Sequence, residues 1–227
     1  MDLKPRLRTI LRSVPKGTRV ADIGTDHAFL PIALIKEGVA RSVLACDISE
    51  GPLSVAKENI EKTKTQNIET RLCDGLEGIS SNEADVITIA GMGGDVIKGI
   101  LKKCAWIKDE KKLLILQPMS SADVLREHLY SEGFSLEKEE AVEDSGRVYS
   151  VITAQYSGAS YKPSLAEIFI GKLAKDRSVA ADRYIELQYL RVKNCAESLK
   201  EVERKRDEYL LNSSAAQEIK AIIEKRK

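Results

Sequence analysis

Five short strand-like runs, four of them followed by a helical pattern, limit what this chain can fold into. The pattern predicts strands at Arg19–Ile23, Ser42–Cys46, Ile68–Cys73, Val86–Ala90 and Lys112–Leu116. Helices are predicted between them at Ala28–Lys36, Glu50–Lys64, Asp95–Lys103 and Ala122–Glu132. Buried strands alternating with amphipathic helices give a doubly wound α/β sheet, with the strands parallel and the helices covering both faces. Two further strand-like runs, Phe134–Val142 and Val148–Tyr156, are joined by Glu143-Asp144-Ser145-Gly146, a hairpin signal. A mostly parallel seven-stranded sheet ending in an antiparallel hairpin is therefore expected. Nicotinamide-binding sheets continue with a parallel sixth strand instead.

Before the first strand, Leu3, Leu7, Ile10, Leu11 and Val14 form one apolar stripe, which predicts a helix over 2–14. Ser157-Gly158-Ala159-Ser160 marks a boundary, beyond which nothing reads as a strand. The division expected is 1–158 for the sheet domain and 159–227 for a helical appendage. In the appendage, Pro163–Ala174 reads as one helix. Ile185, Val192, Leu199 and Val202 then mark a second, heptad-like helix from Val179 to Leu211. Asn212-Ser213-Ser214 is expected to turn the chain into a shorter last helix, packed antiparallel as in a coiled coil.

The turn after the first strand reads Ala21-Asp22-Ile23-Gly24-Thr25-Asp26-His27-Ala28. Gly24 permits close backbone approach by a cofactor lying across the strand ends. A dinucleotide fingerprint would place a second glycine where this chain has Asp26, and a carboxylate there repels a pyrophosphate. S-adenosylmethionine (SAM) has no phosphate. Its methionine end carries an ammonium and a sulfonium, which Asp22 and Asp26 would favour. Asp26 would equally serve as the N-cap of the helix that follows.

Other strand ends fit the same cofactor. Asp47, 23 residues after Gly24, stands where a carboxylate accepts from ribose hydroxyls, with Ile48 beside it. Asp74-Gly75 is placed to take the adenine amino group, or simply to turn the chain. Ala90-Gly91-Met92-Gly93-Gly94 puts three glycines in four residues at a strand's carboxyl end, which suggests close approach of cofactor and acceptor. Gln117-Pro118 is expected to border the pocket from a stiff loop. Asp26, His27, Met92 and Gly93 are the candidates for catalysis. His128, on a polar stretch of helix, is not.

Absences narrow the chemistry further. No Asp/Asn-Pro-Pro-aromatic clamp for amino methylation follows the fourth strand, and no Pro-Cys nucleophile is present. Attack by a ring nitrogen such as adenine N1 needs mainly positioning, plus an acceptor for a proton lost later. The cysteines Cys46, Cys73, Cys104 and Cys195 form no metal-binding spacing, so no metal is expected. No apolar run is long enough to span a membrane and no signal peptide is visible, so a cytoplasmic protein is expected. From Tyr161 onward there are 15 basic and 11 acidic residues, against 21 and 24 before it. A basic tail hints at an anionic partner.

Together, the Asp22–Ala28 turn, Leu30-Pro31, Gly51-Pro52, Asp74-Gly75-Leu76, Thr88–Gly94 and Leu116-Gln117-Pro118 resemble bacterial tRNA (adenine-22-N1)-methyltransferases, along the whole chain. The resemblance implies a Rossmann-like class I methyltransferase fold with a coiled-coil-like tail that helps to hold tRNA. It also implies SAM as donor and N1 of an adenine in tRNA as acceptor; a monomer is expected. Arg6, Arg8, Arg12, Gln117, Pro118, Lys193, Lys200 and Arg204, with Lys205 and Arg206, then become candidate tRNA contacts. Two positions depart from some members. Met119 replaces a polar side chain, and Asp47 replaces Glu while keeping the carboxylate. Residue chemistry alone leaves open a methyltransferase of another substrate, or a non-catalytic SAM- or RNA-binding module.

Overall fold

The computed structural model describes residues 3–226. Its sheet has seven strands: β1 (Thr18–Ile23), β2 (Ala40–Asp47), β3 (Ile68–Leu72), β4 (Val86–Gly93), β5 (Leu113–Ser120), β6 (Phe134–Asp144) and β7 (Arg147–Tyr156). They lie in the order β3-β2-β1-β4-β5-β7-β6. The pairs up to β4–β5 are parallel, and β7 runs antiparallel to both β5 and β6. Ser145 and Gly146, both at positive φ, make the two-residue turn that closes the hairpin. The order reverses between β1 and β4, so their carboxyl ends open a crevice at the switch point.

Eight helices surround the sheet among the described residues: α1 (Pro5–Ser13), α2 (Phe29–Lys36), α3 (Glu50–Thr63), α4 (Gly94–Lys102), α5 (Ala122–Ser131), α6 (Leu165–Ile170), α7 (Val179–Leu199) and α8 (Arg206–Arg226). Strand alternation sorts the core. Ala21, Ile23, Ile87, Ile89, Leu114 and Leu116 pack with α4 and α5 on one face, while Val20, Val43, Val86 and Ile115 meet α1 and α2 on the other. In α1, Ile10 and Leu11 are buried as the stripe requires, together with Leu3 and Val14 just outside it. Asp2, at the start of the expected helix, lies outside the described residues.

Four readings of the sequence need correction. First, β4 and β5 run to Gly93 and Ser120, so Gly91–Gly93 and Pro118 are strand residues rather than loops. Gly91, at φ +80, bulges β4, and the register shifts on either side of Met92 let the pairing continue. Second, the helix expected over Pro163–Ala174 is shorter. The Ser164–Glu167 capping box starts α6, and Gly171 at φ +56 ends it.

Third, the long tail helix stops at Leu199. A short tight turn at Glu203–Lys205 leads into α8, and Asn212-Ser213-Ser214 lies inside that helix. The Asn212 amide donates to the Glu208 carbonyl one turn back, so this polar trio is accommodated in helical backbone. Packing places the turn: Ala215 and Ile219 of α8 bury against the cluster that holds Ile185 and Val192 of α7. The two helices are equal at 21 residues each and antiparallel, with Arg226 of α8 bonded to Asp182 of α7. Fourth, His128 is buried at 6% exposure, and burial lowers its pKa.

The tail is tied to the sheet through Arg126 of α5, which is fully buried. Its guanidinium donates to Glu139 of β6, to the Ile168 and Phe169 carbonyls of α6, and to the Tyr184 hydroxyl of α7. Among the described residues no helix is long and apolar enough to cross a membrane.

Candidate active site

At the switch point the ends of β1, β2 and β4 surround an open cleft of about 630 Å³. The β1 turn supplies Asp22, Gly24, Thr25, Asp26 and His27, β2 supplies Asp47, and β4 supplies Ala90, Gly91 and Met92. Helix α1 crosses the mouth with Lys4, Arg6 and Leu7, and α2 adds Phe29 and Leu30.

Local backbone explains the turn. Gly24 is at φ +73, and a Cβ there would overlap the terminal methyl of Met92. Its N–H and that of Thr25 both donate to the Cys46 carbonyl at 2.9 Å, which pins the β1 turn to β2. Asp26 and Ala28 are left-handed at φ +51 and +56. Helix α2 starts only at Phe29, with no side chain capping it, so Asp26 is not its N-cap. Its carboxylate instead stands exposed at the mouth, 3.5 Å from Nε2 of His27. The His27 ring stacks on Phe29 with centroids 5.2 Å apart, giving the cleft an aromatic rim.

Two further carboxylates stand deeper. Asp47 accepts from the backbone N–H of Ser49 at 3.0 Å and of Asp26 at 3.3 Å. Asp22 is buried, accepts from the Thr88 hydroxyl at 2.7 Å, and its carboxyl is pushed up by burial against the pull of that bond. Beside it, the buried Thr25 hydroxyl has no hydrogen-bond partner among the described residues. A buried polar atom without a partner is costly and marks a place where a ligand group would be accepted. Two acceptor carboxylates, an unpartnered hydroxyl and a glycine turn fit an ammonium and a pair of ribose hydroxyls. The β1 turn itself offers no second glycine for a pyrophosphate, since Asp26 stands there.

Asp22 yields a sign-definite prediction. Above the ordinary carboxylate range and below its raised value, the folded protein holds a proton that the unfolded chain has released. Stability therefore falls as pH rises through that window. Asp22→Asn removes the fall. The variant is expected to melt above wild type at pH 8 but not at pH 4, and to bind SAM on the order of tenfold more weakly. A lower melting temperature at pH 8 would refute this account of Asp22.

Several predicted residues lie elsewhere. Ile48 is 65% exposed and does not line the cleft. Asp74 is paired with Lys103 at 2.8 Å, and Gly75 packs close to Ile100. Gln117, expected to meet substrate, is fully buried. Its Oε1 accepts from the Gly91 N–H and from Arg6 Nη1, both at 3.2 Å, so it braces β4 against α1. Pro118 is buried in β5. Arg6 reaches the cleft, held by Gln117 and by Asp144 at 3.3 Å. Arg8 pairs with Glu37 at the far end of α2, which takes it away from the pocket side, and Arg12 turns back on Thr9. Lys193, Lys200 and Arg204 are exposed on the tail.

The glycine run is only partly a ligand feature. A Cβ on Gly94 would run into the Ser121 carbonyl, so this glycine is required by packing. On Gly93 it would meet only the movable Ser120 hydroxyl at 3.3 Å. Sequence reasoning missed Lys4, Leu7, Phe29 and Leu30. Phe29 carried a signal, an aromatic directly after the pocket turn. Lys4 and Leu7 line the cleft because α1 folds over it, and Leu30 because it follows Phe29 in the first turn of α2.

Residues 3–152 match the family model described as a methyltransferase domain. The chain is 41% identical over 156 residues to the tRNA (adenine(22)-N(1))-methyltransferase of Bacillus subtilis, an alignment covering 68% of this chain and 66% of that relative. The crystal structure of the Bacillus subtilis tRNA methyltransferase TrmK superposes with a TM-score of 0.86 at 32% identity, covering 98% of this chain and 99% of that one. A Streptococcus pneumoniae structure in complex with S-adenosyl-L-methionine superposes with a TM-score of 0.81 at 30% identity, covering 96% and 98% of the two chains.

Proposed function

Because the chain belongs to the bacterial tRNA (adenine-22-N1)-methyltransferase family, we propose that it transfers a methyl group from SAM to N1 of adenine 22 in tRNA, leaving 1-methyladenosine and S-adenosylhomocysteine. The observation that carries this reading is the switch-point cleft, where buried Asp22, Asp47 and the unpartnered Thr25 hydroxyl face the β4 end at Gly91–Gly93.

Bound SAM supplies an electrophilic methyl group on a sulfonium. Asp47 would hold the ribose hydroxyls, Asp22 and Thr25 the ammonium end, and Gly24 with Gly91 gives the backbone approach they need. The acceptor adenine would lie over Met92 and Gly93, its N1 lone pair directed at the methyl carbon. N1 is unprotonated at neutral pH, so the protein's task is alignment more than activation. Methylation leaves a positive charge on the ring, which is relieved by loss of a proton from the amino group. The Asp26–His27 pair at the mouth is placed to accept it.

Residues 159–227 serve as the tRNA-holding appendage, with Lys193, Lys200 and Arg204 on phosphates and Arg6 at the mouth. The protein acts in the cytoplasm as a monomer without a metal. Two results test the reading: SAM binding by calorimetry, and transfer of labelled methyl from SAM to unmodified tRNA with a salt-sensitive KM. Asp26→Asn and Gly93→Ala should cut turnover by about a hundredfold without lowering the Tm, since neither position has a role in packing. Wild-type turnover in both would refute the assigned acceptor position.

A further inference from the structure

The cofactor cleft flanks one side of the β4 end, and a second cleft flanks the other. Met92 pairs with Pro118 and Gly93 with Ser120 across β4 and β5. Pro118 and Ser120 themselves line this second cavity, of about 220 Å³, whose far wall is α7 of the tail. A base lying over Gly91–Gly93 would therefore have SAM on one side and this cavity on the other. It is also where the sheet domain and the tail jointly enclose space next to the acceptor position.

Its lining combines apolar walls with unspent hydrogen-bonding groups. The half-exposed Met119 and Val148 supply apolar surface over the buried Pro118. The Gln188 amide and the Ser120 and Ser121 hydroxyls line it and have no hydrogen-bond partner among the described residues. Arg191 is held in place by Asp123 at 3.2 Å and by the Phe169 ring at 5.3 Å.

We propose that this cleft is a base-recognition subsite, holding a nucleobase of the tRNA other than the one methylated. The proposal rests on the tRNA-methylating reading above. Charge favours a base over a phosphate, because Asp123 already neutralises Arg191 and would repel an anion. A base edge presents both donors and acceptors, and these match Gln188, the Ser120 hydroxyl and the Asp123–Arg191 pair. Its faces suit Met119 and Val148. Size agrees, since an apolar cavity of about 150 Å³ already holds a benzene ring. The adenine would then be positioned by two anchored bases rather than one.

The test uses the full chain and transcribed tRNA. Gln188→Leu keeps the volume and removes the amide, and Ser120→Ala removes one hydroxyl. Each is expected to raise KM for tRNA, by about tenfold for Gln188→Leu. The Tm, kcat and SAM affinity should be unchanged, as should the slope of log KM against log salt. In wild type, a single abasic position away from the target should raise KM by a similar factor. That position should cost nothing further in Gln188→Leu, because the two changes remove one contact. An unchanged KM in both variants, or additive losses at every abasic position, overturns the proposal. A salt slope reduced by about one in Arg191→Met overturns it in favour of a phosphate contact. If the wild type binds SAM and methylates no tRNA, the parent reading fails, and the subsite falls with it.

Discussion

Asp47→Ala is expected to weaken SAM binding about a hundredfold while leaving the fold intact. Its carboxylate stands at the end of β2, half-buried, with one oxygen toward Ser49 N–H and the other toward Asp26 N–H. Two charge-assisted bonds to ribose hydroxyls contribute about 1.5–3 kcal/mol each, so losing both costs about 3 kcal/mol even after water re-enters. The two backbone donors it releases lie at the surface and can bond to water, so Tm should drop only slightly. Asp47→Asn keeps an acceptor and loses the charge, and should fall between Ala and wild type. Calorimetric titration reads all three. Wild-type affinity in Asp47→Ala would remove Asp47 from the cofactor site.

The largest effect on stability belongs to Glu139. Burial alone would lower the Arg126 pKa, but the attraction of Glu139 and Tyr184 outweighs it, and Arg126 remains charged at full burial. Glu139→Ala leaves that charge without its counter-ion. Breaking a buried pair from one side costs about 3–5 kcal/mol, which for a chain of this length lowers Tm by about 10 °C. The joint replacement Arg126→Met with Glu139→Leu removes both charges and should recover most of the loss. Because Arg126 also ties Ile168, Phe169 and Tyr184 to the sheet, Glu139→Ala should loosen the tail first. Hydrogen exchange would then rise in α6 and α7 before it rises in β1 and β4. A Tm within 2–3 °C of wild type would contradict this ranking of the forces holding tail to sheet.

How much could be read from the sequence depended on whether the cause was local. β1, β2, β4 and β5 were legible because burial on both faces makes them largely apolar runs, the edge strand β3 (Ile68-Glu69-Thr70-Arg71-Leu72) only from its place in the alternation, and the hairpin because Ser145-Gly146 takes the positive φ of a tight turn. The cofactor turn was legible because backbone geometry demands Gly24. The tail break was not, since no Pro or Gly marks Lys200–Val202 and the heptad spacing runs through it. Packing of Ala215 and Ile219 decided the turn instead. Gln117 was misread for a related reason. An amide at the end of an apolar run resembles a rim residue, but β5 continues to Ser120 and turns it inward. Gly94 looked like part of a ligand loop, yet the Ser121 carbonyl, 27 residues away in sequence, is what excludes its side chain.

The central claim is methyl transfer to one ring nitrogen of one adenine. The most direct measurement incubates the protein with SAM and an unmodified tRNA transcript, digests the RNA to nucleosides, and maps the product by primer extension, which a methyl on the pairing edge blocks. The account predicts 1-methyladenosine as the sole new nucleoside, with a single stop at adenine 22 that disappears when that base is replaced by guanine. A methylated nucleoside of another kind, or labelled methyl that stays out of tRNA while SAM binds normally, would contradict it.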